Sequence, residues 1–492
     1  ASVEYRSAAC AELADLYMRG KDYDRAEHCA RKALDYNRFN LNALEVQAVT
    51  ARVQRNKDHA AVLETMLAID PLNHFALFEK TLQGTTGVPP VASLSRGETA
   101  ETPVVGEQKA FKDTIRNELP DQTYLELAIR YSTLARPEEA GRVLVLAPRT
   151  PEIACWQAWL AHRSGKKDAD ALLKEADSLS PAMAFPFRPE SAQALRWAAT
   201  QTQSWKPRYF LALIWWNCNN LDKARELFGE CGDQPDFAPF YVARARLLPQ
   251  NAEADLKKAI RLDRQWRYGH ALAGHYLSAG RAKDAAATAG EFLKQSPDNY
   301  VLGLLRAKAL LRAGELAQCD LLLRAINVLP NEGAVEGRLI YKECQLLLAV
   351  HCMKNQWYDK ALERIAASRL WPENLGVGKP YVEDVDERLE DFLQAACLDK
   401  LGKKDQAAAL RDKMLKSVPP ADASPANALV LALTHKSAGG PQAPAAAAAA
   451  LEKLGDTPLG RWCRDACAAA LRPPPATADE NARVLYHYLR DQ

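Results

Sequence analysis

Along this chain apolar residues recur at three- and four-residue intervals in short blocks, separated by polar turns or by prolines. Blocks of that length and period predict pairs of short amphipathic helices. The clearest pair is KPRYFLALIWWNCNNLDKARELFGECGDQPD, from Lys206 to Asp236. Leu211, Ile214 and Trp215 share one face of its first helix, and Ala212 leaves room for a close neighbour. Ala224, Leu227 and Phe228 form the facing side of the second, and Asn219 and Asn220 suit the turn between them. One such hairpin cannot bury its apolar face alone, so the pattern must recur.

It does. Ser7 to Tyr36 is a first copy, with Leu13, Ala14 and Tyr17 on one helix and Ala26, Ala30 and Ala33 on the next. Leu41 to Pro71 is looser, and the pattern then stops. Thr123 to Pro148 is again clear, through Tyr124, Leu127, Ala128, Tyr131 and Ala140; Glu152 to Pro181 is weaker. Pro181, Pro186 and Pro189 forbid continuous helix before an extra helix from Glu190 to Thr202. A short hairpin at Phe237 to Asp263 precedes two well-phased copies. There Ala285 and Cys319, like Tyr276 and Leu310, stand 34 residues apart, and Pro297 and Pro330 close the units. Gly333 to Ser368 and Val385 to Val418 complete the series, the latter marked by Leu389, Phe392, Ala395, Ala396 and Ala407. Large, Leu-small and Tyr positions on the first helix, small residues on the second and a closing proline resemble the tetratricopeptide repeat. The implied fold is all-α: a tetratricopeptide-like α-hairpin solenoid, right-handed, of about ten hairpins.

The phasing divides the chain into hairpins at 1–82, a loop or linker at 83–110, hairpins with the extra helix at 111–205, the main array at 206–418 and degenerate capping helices at 419–492. Gln83 to Gly106 is rich in Gly, Pro, Thr and Ser, which reads as an exposed insertion, with docking or phosphorylation as the alternative use; helix resumes near Phe111. Near the end, PQAPAAAAAALEKLG favours helix but offers little bulk for a core, and Arg461 to Leu471 and Asp479 to Leu489 read as closing helices.

Composition narrows the function classes. The 64 Lys and Arg against 62 Asp and Glu leave a formal charge of +2, which gives no global case for nucleic acid or an anionic membrane. No apolar run approaches about 18 residues and no basic-then-apolar leader opens the chain, which starts inside helical sequence. We therefore expect a mature form or an excised piece of something longer. Eleven scattered cysteines without a CxxC point to a reducing compartment, so we expect a cytoplasmic protein; Cys463 and Cys467 read as small core residues.

Catalytic patterns are missing. His270 and His275 lack an HExxH frame, no serine sits in a nucleophile elbow, no glycine pattern opens a βα unit, and no cofactor or metal is implied. One stretch breaks the repeat grammar: Ser368 to Asp386, SRLWPENLGVGKPYVEDVD. It fails as a phosphate loop, with Glu373 and Pro380 where Gly and Ser or Thr belong. Either Gly376 and Gly378 make a tight turn that Trp371 and Tyr381 pin to the stack, or Glu373, Asn374 and Lys379 face a groove and bind something polar. LWPENLGVGKPY with DERLEDFL, PDFAPFYVARARL, LPNEG and FPFRPE is similar to the carboxy-terminal helical region of the bacterial DUF5107 family, over about Phe111 to Val418. In that family a mutarotase-like domain associated with carbohydrate precedes the repeats. The resemblance implies the repeat part alone, since no alternating-strand stretch is present.

In such stacks the first helices line a concave groove. Transferred here, the groove positions are Tyr209, Leu213, Trp216 and Asn217, then Arg267, His270 and Ser278, then Lys308 and Arg312. Trp216 has the alternative of inserting between hairpins. Aromatic surface beside cations suits a peptide with acidic residues or a free carboxylate, and it also suits a sugar ring. The expectation is a non-catalytic scaffold for a protein or peptide partner. Carbohydrate recognition, and a spacer or dimerisation platform, stand as alternatives.

Overall fold

The computed structural model describes residues 2–83, 103–381, 384–417 and 424–490, with helix as the sole regular element among them. The chain separates into two compact units, residues 1–240 and 241–492.

Unit 1 is built from α1 (Val3–Arg19), α2 (Tyr23–Tyr36), α3 (Leu41–Val53), α4 (His59–Ile69), α5 (His74–Gln83), α6 (Pro103–Thr114), α7 (Pro120–Thr133), α8 (Pro137–Leu146), α9 (Pro151–Arg163), α10 (Ala169–Ser178), α11 (Ser191–Gln201), α12 (Lys206–Asn217) and α13 (Leu221–Glu230). Unit 2 begins within α14 (Ala238–Leu247) and continues through α15 (Ala252–Leu262), α16 (Trp266–Ser278), α17 (Ala282–Gln295), α18 (Tyr300–Arg312), α19 (Leu316–Ala325), α20 (Glu336–Lys354), α21 (Tyr358–Ser368), α22 (Arg388–Lys400), α23 (Lys404–Lys416), α24 (Asn427–Ala438), α25 (Ala443–Glu452), α26 (Pro458–Cys467) and α27 (Glu480–Arg490). Within each unit most consecutive helices pack as hairpins, as α1 on α2, α7 on α8, α16 on α17 and α20 on α21, and neighbouring hairpins pack on one another, as α2 on α3 and α17 on α18. This is the all-α, tetratricopeptide-like architecture.

The repeat rests on a backbone device. Lys21, Arg55, Ala135, Gly165, Asn219, Gly280, Gly314, Gln356 and Gly402 each adopt positive φ just after the first helix of a hairpin. The next residue's N–H then bonds to a carbonyl five residues back, as in Asp22 to Tyr17, Arg281 to Tyr276 and Glu315 to Leu310. This Schellman-type closure satisfies carbonyls that would end the helix unpaired. Seven residues before each positive-φ position stands a buried alanine: Ala14, Ala48, Ala128, Ala158, Ala212, Ala273, Ala307, Ala349 and Ala395. Five residues after it, in the hairpins whose turn has no extra residue, stands Ala26, Ala140, Ala224, Ala285, Cys319, Ala361 or Ala407, all fully buried. Small residues on both facing helices let the pair close tightly before larger side chains fill the remaining space.

Several expectations need correction. Helix resumes at Pro103 rather than near Phe111, because proline suits a first helical turn, and the pattern continues past Pro71 through α5 and α6, where Phe78 meets Phe111 at 5.4 Å between ring centroids. Most of the expected Gln83 to Gly106 loop lies outside the described residues. Leu13 is 42% exposed; Ala11, Ala14 and Met18 carry the buried face instead, since Leu13 points away from α2. The last helix does more than cover an end. Arg483 of α27 binds Glu343 of α20 with both Nε and Nη2, at 2.7 and 2.8 Å, and Tyr488 packs edge-on against Phe392 at 5.6 Å.

Unit 1 holds its own ionic core. Glu79 on α5 receives Arg52 Nε at 2.7 Å and the Tyr131 hydroxyl at 2.9 Å, with His59 Nε2 at 3.1 Å. Burial alone pushes the Glu79 carboxyl upward, but those hydrogen bonds and the Arg52 charge outweigh it and hold the group below its ordinary value.

Candidate functional site

A groove in unit 2 has a volume of about 580 Å³. Three first helices supply its walls: α16 through His270, Gly274, Leu277 and Ser278, α18 through Tyr300, Val301, Leu304, Leu305 and Lys308, and the start of α20 through Glu336 and Gly337. Two connections complete it, one around Leu329 to Val335 and the other at Leu375 and Val377.

The second connection is the one that broke the repeat grammar, and its placement has a clear cause. Asn374 Nδ2 donates to the carbonyls of Leu323 and Ile326, at 2.9 and 2.8 Å, while its own carbonyl accepts from Val328 N–H at 2.8 Å. Gly376 has φ +69°, and a Cβ there would stand 2.8 Å from the Val328 carbonyl oxygen. Only glycine fits that approach. Leu375 is thereby buried against the Gly337 backbone, and Val377 reaches the groove.

The polar reading of this loop is therefore corrected. Asn374 is committed to main-chain carbonyls rather than to a ligand, and Glu373 and Lys379 are exposed and do not line the groove. Trp371 is half-buried under the Arg338 guanidinium, 4.6 Å from its ring centroid, whereas Tyr381, 78% exposed, pins nothing. Gly378 has no positive φ; the tight turn is at Gly376 alone.

The nine groove candidates separate. His270, Ser278 and Lys308 share the unit 2 groove. Burial lowers the His270 pKa against the opposing pull of Glu336. Lys308 Nζ pairs with Glu336 at 3.0 Å, so this wall is close to neutral. Arg267 is exposed beside the groove, its guanidinium over Trp266 at 4.6 Å. Arg312 is occupied elsewhere: with Arg483 it brackets the buried Glu343, so its charge ties α18 and α27 to α20. The other four lie in unit 1. Tyr209, only 5% exposed, sits among Trp205, Phe210, Phe228 and Phe240 and is a core residue, because an aromatic ring gains more from that cluster than from water. Trp216 is half-buried against Phe228 at 6.2 Å, Leu213 is half-buried, and exposed Asn217 donates to the Phe187 carbonyl at 3.2 Å.

Sequence reasoning missed the apolar rim. Leu329 is 66% exposed, and Val301 and Val335 are also exposed, all three lining the groove. The one available signal was LPNEG, a leucine stranded in turn sequence.

Among the described residues no group of three or more His, Cys, Asp or Glu side chains is placed to hold a metal ion, and no helix is long and apolar enough to cross a membrane. No family model matches the chain, and no curated protein does. Among solved structures it is similar to a thermophilic TPR protein of Thermus thermophilus, at 24% identity over 39% of this chain and 99% of that one, with a TM-score of 0.24. It is also similar to yeast Tom70, at 13% identity over 94% of this chain and 95% of that one, with a TM-score of 0.29. The APC/C hetero-tetramer Cut9–Hcn1 matches at 11% identity over 95% and 97%, again with a TM-score of 0.29. Superpositions this loose carry no argument about function.

Proposed function

We propose that the chain is a non-catalytic scaffold whose unit 2 groove holds a segment of a protein partner through apolar anchor residues. The observation that supports this is the exposed Leu329, Val301 and Val335 at a groove already neutralised by the Lys308–Glu336 pair. Exposed aliphatic side chains gathered at a concavity lose water when a partner's side chain enters, and a volume of about 580 Å³ takes two or three such side chains. An acidic peptide is less favoured for this groove, because two of the three cations expected to receive it, Lys308 and Arg312, already have carboxylate partners, and the third, Arg267, stands over Trp266 outside the groove lining.

The carbohydrate alternative draws on the DUF5107 resemblance. It has one aromatic ring to stack on in this groove, Tyr300, and so less physical support. The test is a selection of random twelve-residue peptides against the wild-type chain and against Leu329→Asp and Val335→Asp. Enriched peptides should carry spaced Leu, Ile or Phe and lose binding at least tenfold to either variant. Enrichment indifferent to both substitutions sinks the reading. A thermal shift with oligosaccharides and no peptide enrichment moves the function to carbohydrate.

A further inference from the structure

A second concavity, of about 540 Å³, lies in unit 1 and owes its existence to α11, the helix that belongs to no hairpin. Its lining is Trp159, His162 and Arg163 from the last turn of α9 and Gln193, Arg196, Trp197 and Thr200 from α11. Positions 193, 196, 197 and 200 follow the one-face spacing of a helix, so the polar stripe of α11 is presented as a unit. The Trp197 ring is half-buried and stacks on His162 at 4.8 Å and 26° between planes. Arg163 lies over Trp159, its guanidinium carbon 4.9 Å from the ring centroid.

Every ionisable residue in that lining is cationic or becomes so on protonation. Among the described residues Arg196 and Arg163 enter no ion pair, in contrast to Lys308 in the other groove. The turn that follows α9 adds exposed Lys166 and Lys167, while the acidic Asp168 and Asp170 belong to the start of α10, where a helix N-terminus favours them. Glu152, the carboxylate nearest in sequence on α9, is buried under Ser191 and faces the core.

We infer that this surface binds an acidic peptide segment of a partner protein, with carboxylates on Arg163 and Arg196. Guanidinium groups hold carboxylates through paired donors, and the Trp197 ring, stacked on His162 and packed on the unit 1 core, fixes the floor between them. The site is separate from the proposed groove in unit 2: it discriminates by charge, the groove by apolar fit. Either reading can fail without the other.

Fluorescence polarisation with a labelled decapeptide alternating Glu and Leu, against its Gln and Leu counterpart, tests the inference on the full chain. The acidic peptide should bind at least tenfold more tightly than the neutral one, and raising salt from 50 to 300 mM should weaken it several-fold. Arg196→Glu should remove that preference, and Arg142→Glu, an exposed change elsewhere in the unit, should leave it intact. Circular dichroism of both variants guards against misfolding; exposed Arg196 is not part of the core. Equal binding of the two peptides, no binding of either at 1 mM, or an acidic preference that survives Arg196→Glu overturns the inference. So does tighter binding of a ten-nucleotide oligothymidylate than of the acidic peptide.

Discussion

Replacing Glu152 by Gln should make unit 1 more stable at pH 8 and change it little at pH 4. Glu152 stands in the first turn of α9, fully buried, where its carboxylate accepts from Ser191 Oγ at 2.8 Å and from Gln122 Nε2 at 3.3 Å. The helix N-terminus favours the charge, but only by about 1 kcal/mol. Burial works against it more strongly and, with Asp121 nearby, raises the pKa from 4.5 to about 7 despite those hydrogen bonds. A rise from 4.5 to about 7, at about 1.4 kcal/mol per tenfold, amounts to about 3–4 kcal/mol over the full titration. The sign follows from proton uptake. A carboxyl whose pKa is raised on folding contributes its full stability below the ordinary carboxylate range and loses it as pH rises through about 7. Glutamine does not titrate, and it keeps the bond from Ser191. Its amide nitrogen faces the donor Gln122 Nε2, so the Gln122 amide must turn its unpartnered oxygen toward position 152 and give up its bond to Asp121, which trims the gain. Because a repeat array need not unfold in one step, the assay should be local: hydrogen exchange by mass spectrometry over residues 150–163 and 190–201 between pH 5 and 8, corrected for intrinsic rates. The variant's advantage should grow by about 3 kcal/mol across that range. Parallel pH profiles for the two proteins would refute the reasoning, since they would mean that Glu152 is charged throughout.

Gly376→Ala combines a left-handed backbone with a 2.8 Å approach to the Val328 carbonyl oxygen. It should cost about 2–3 kcal/mol locally, read as lost exchange protection at Val328 N–H. Gln356→Gly, at φ +61°, relieves strain at a helix end and should raise the unfolding midpoint of unit 2 by the equivalent of about 0.5–1 kcal/mol; a lower midpoint would count against the turn argument. Lys308→Ala should change stability by less than about 1 kcal/mol in denaturant unfolding, because the pair with Glu336 is largely solvated. In a native thiol titration exposed Cys218 should react first, while Cys155, Cys397 and Cys463, buried and pushed up to about 12, should wait for unfolding.

The hairpins were legible because a three- and four-residue apolar period survives in each helix whatever packs on it. The turn device was half legible. Asn219, Gly280, Gly314 and Gly402 announce a left-handed residue, whereas Lys21, Arg55, Ala135 and Gln356 occupy the same backbone slot without the chemical signature of it. The sites were harder. Tyr209 and Trp216 look alike in sequence, and only the aromatic cluster around Trp205 and Phe240 decides that the first is core. Leu329 and Val377 meet because Asn374 bonds to carbonyls 48 and 51 residues away, a constraint no local pattern encodes. The extra helix at α11 was read from the sequence but its lining stripe was not, and nothing local said that α9 would bring Trp159, His162 and Arg163 beside it.

The return of α27 to α20 has a consequence for how this molecule is made. In an open stack each hairpin completes the surface of the one before it, so folding can follow synthesis step by step. Here Glu343, with almost no solvent exposure, waits for Arg483, 140 residues later, and the face of α22 around Phe392 waits for Tyr488. Until residues 480–490 leave the ribosome, Glu343 has only one of its two arginines and the apolar strip around Phe392 lacks Tyr488. During translation that interval, rather than the finished structure, is when this half of the chain most needs a chaperone.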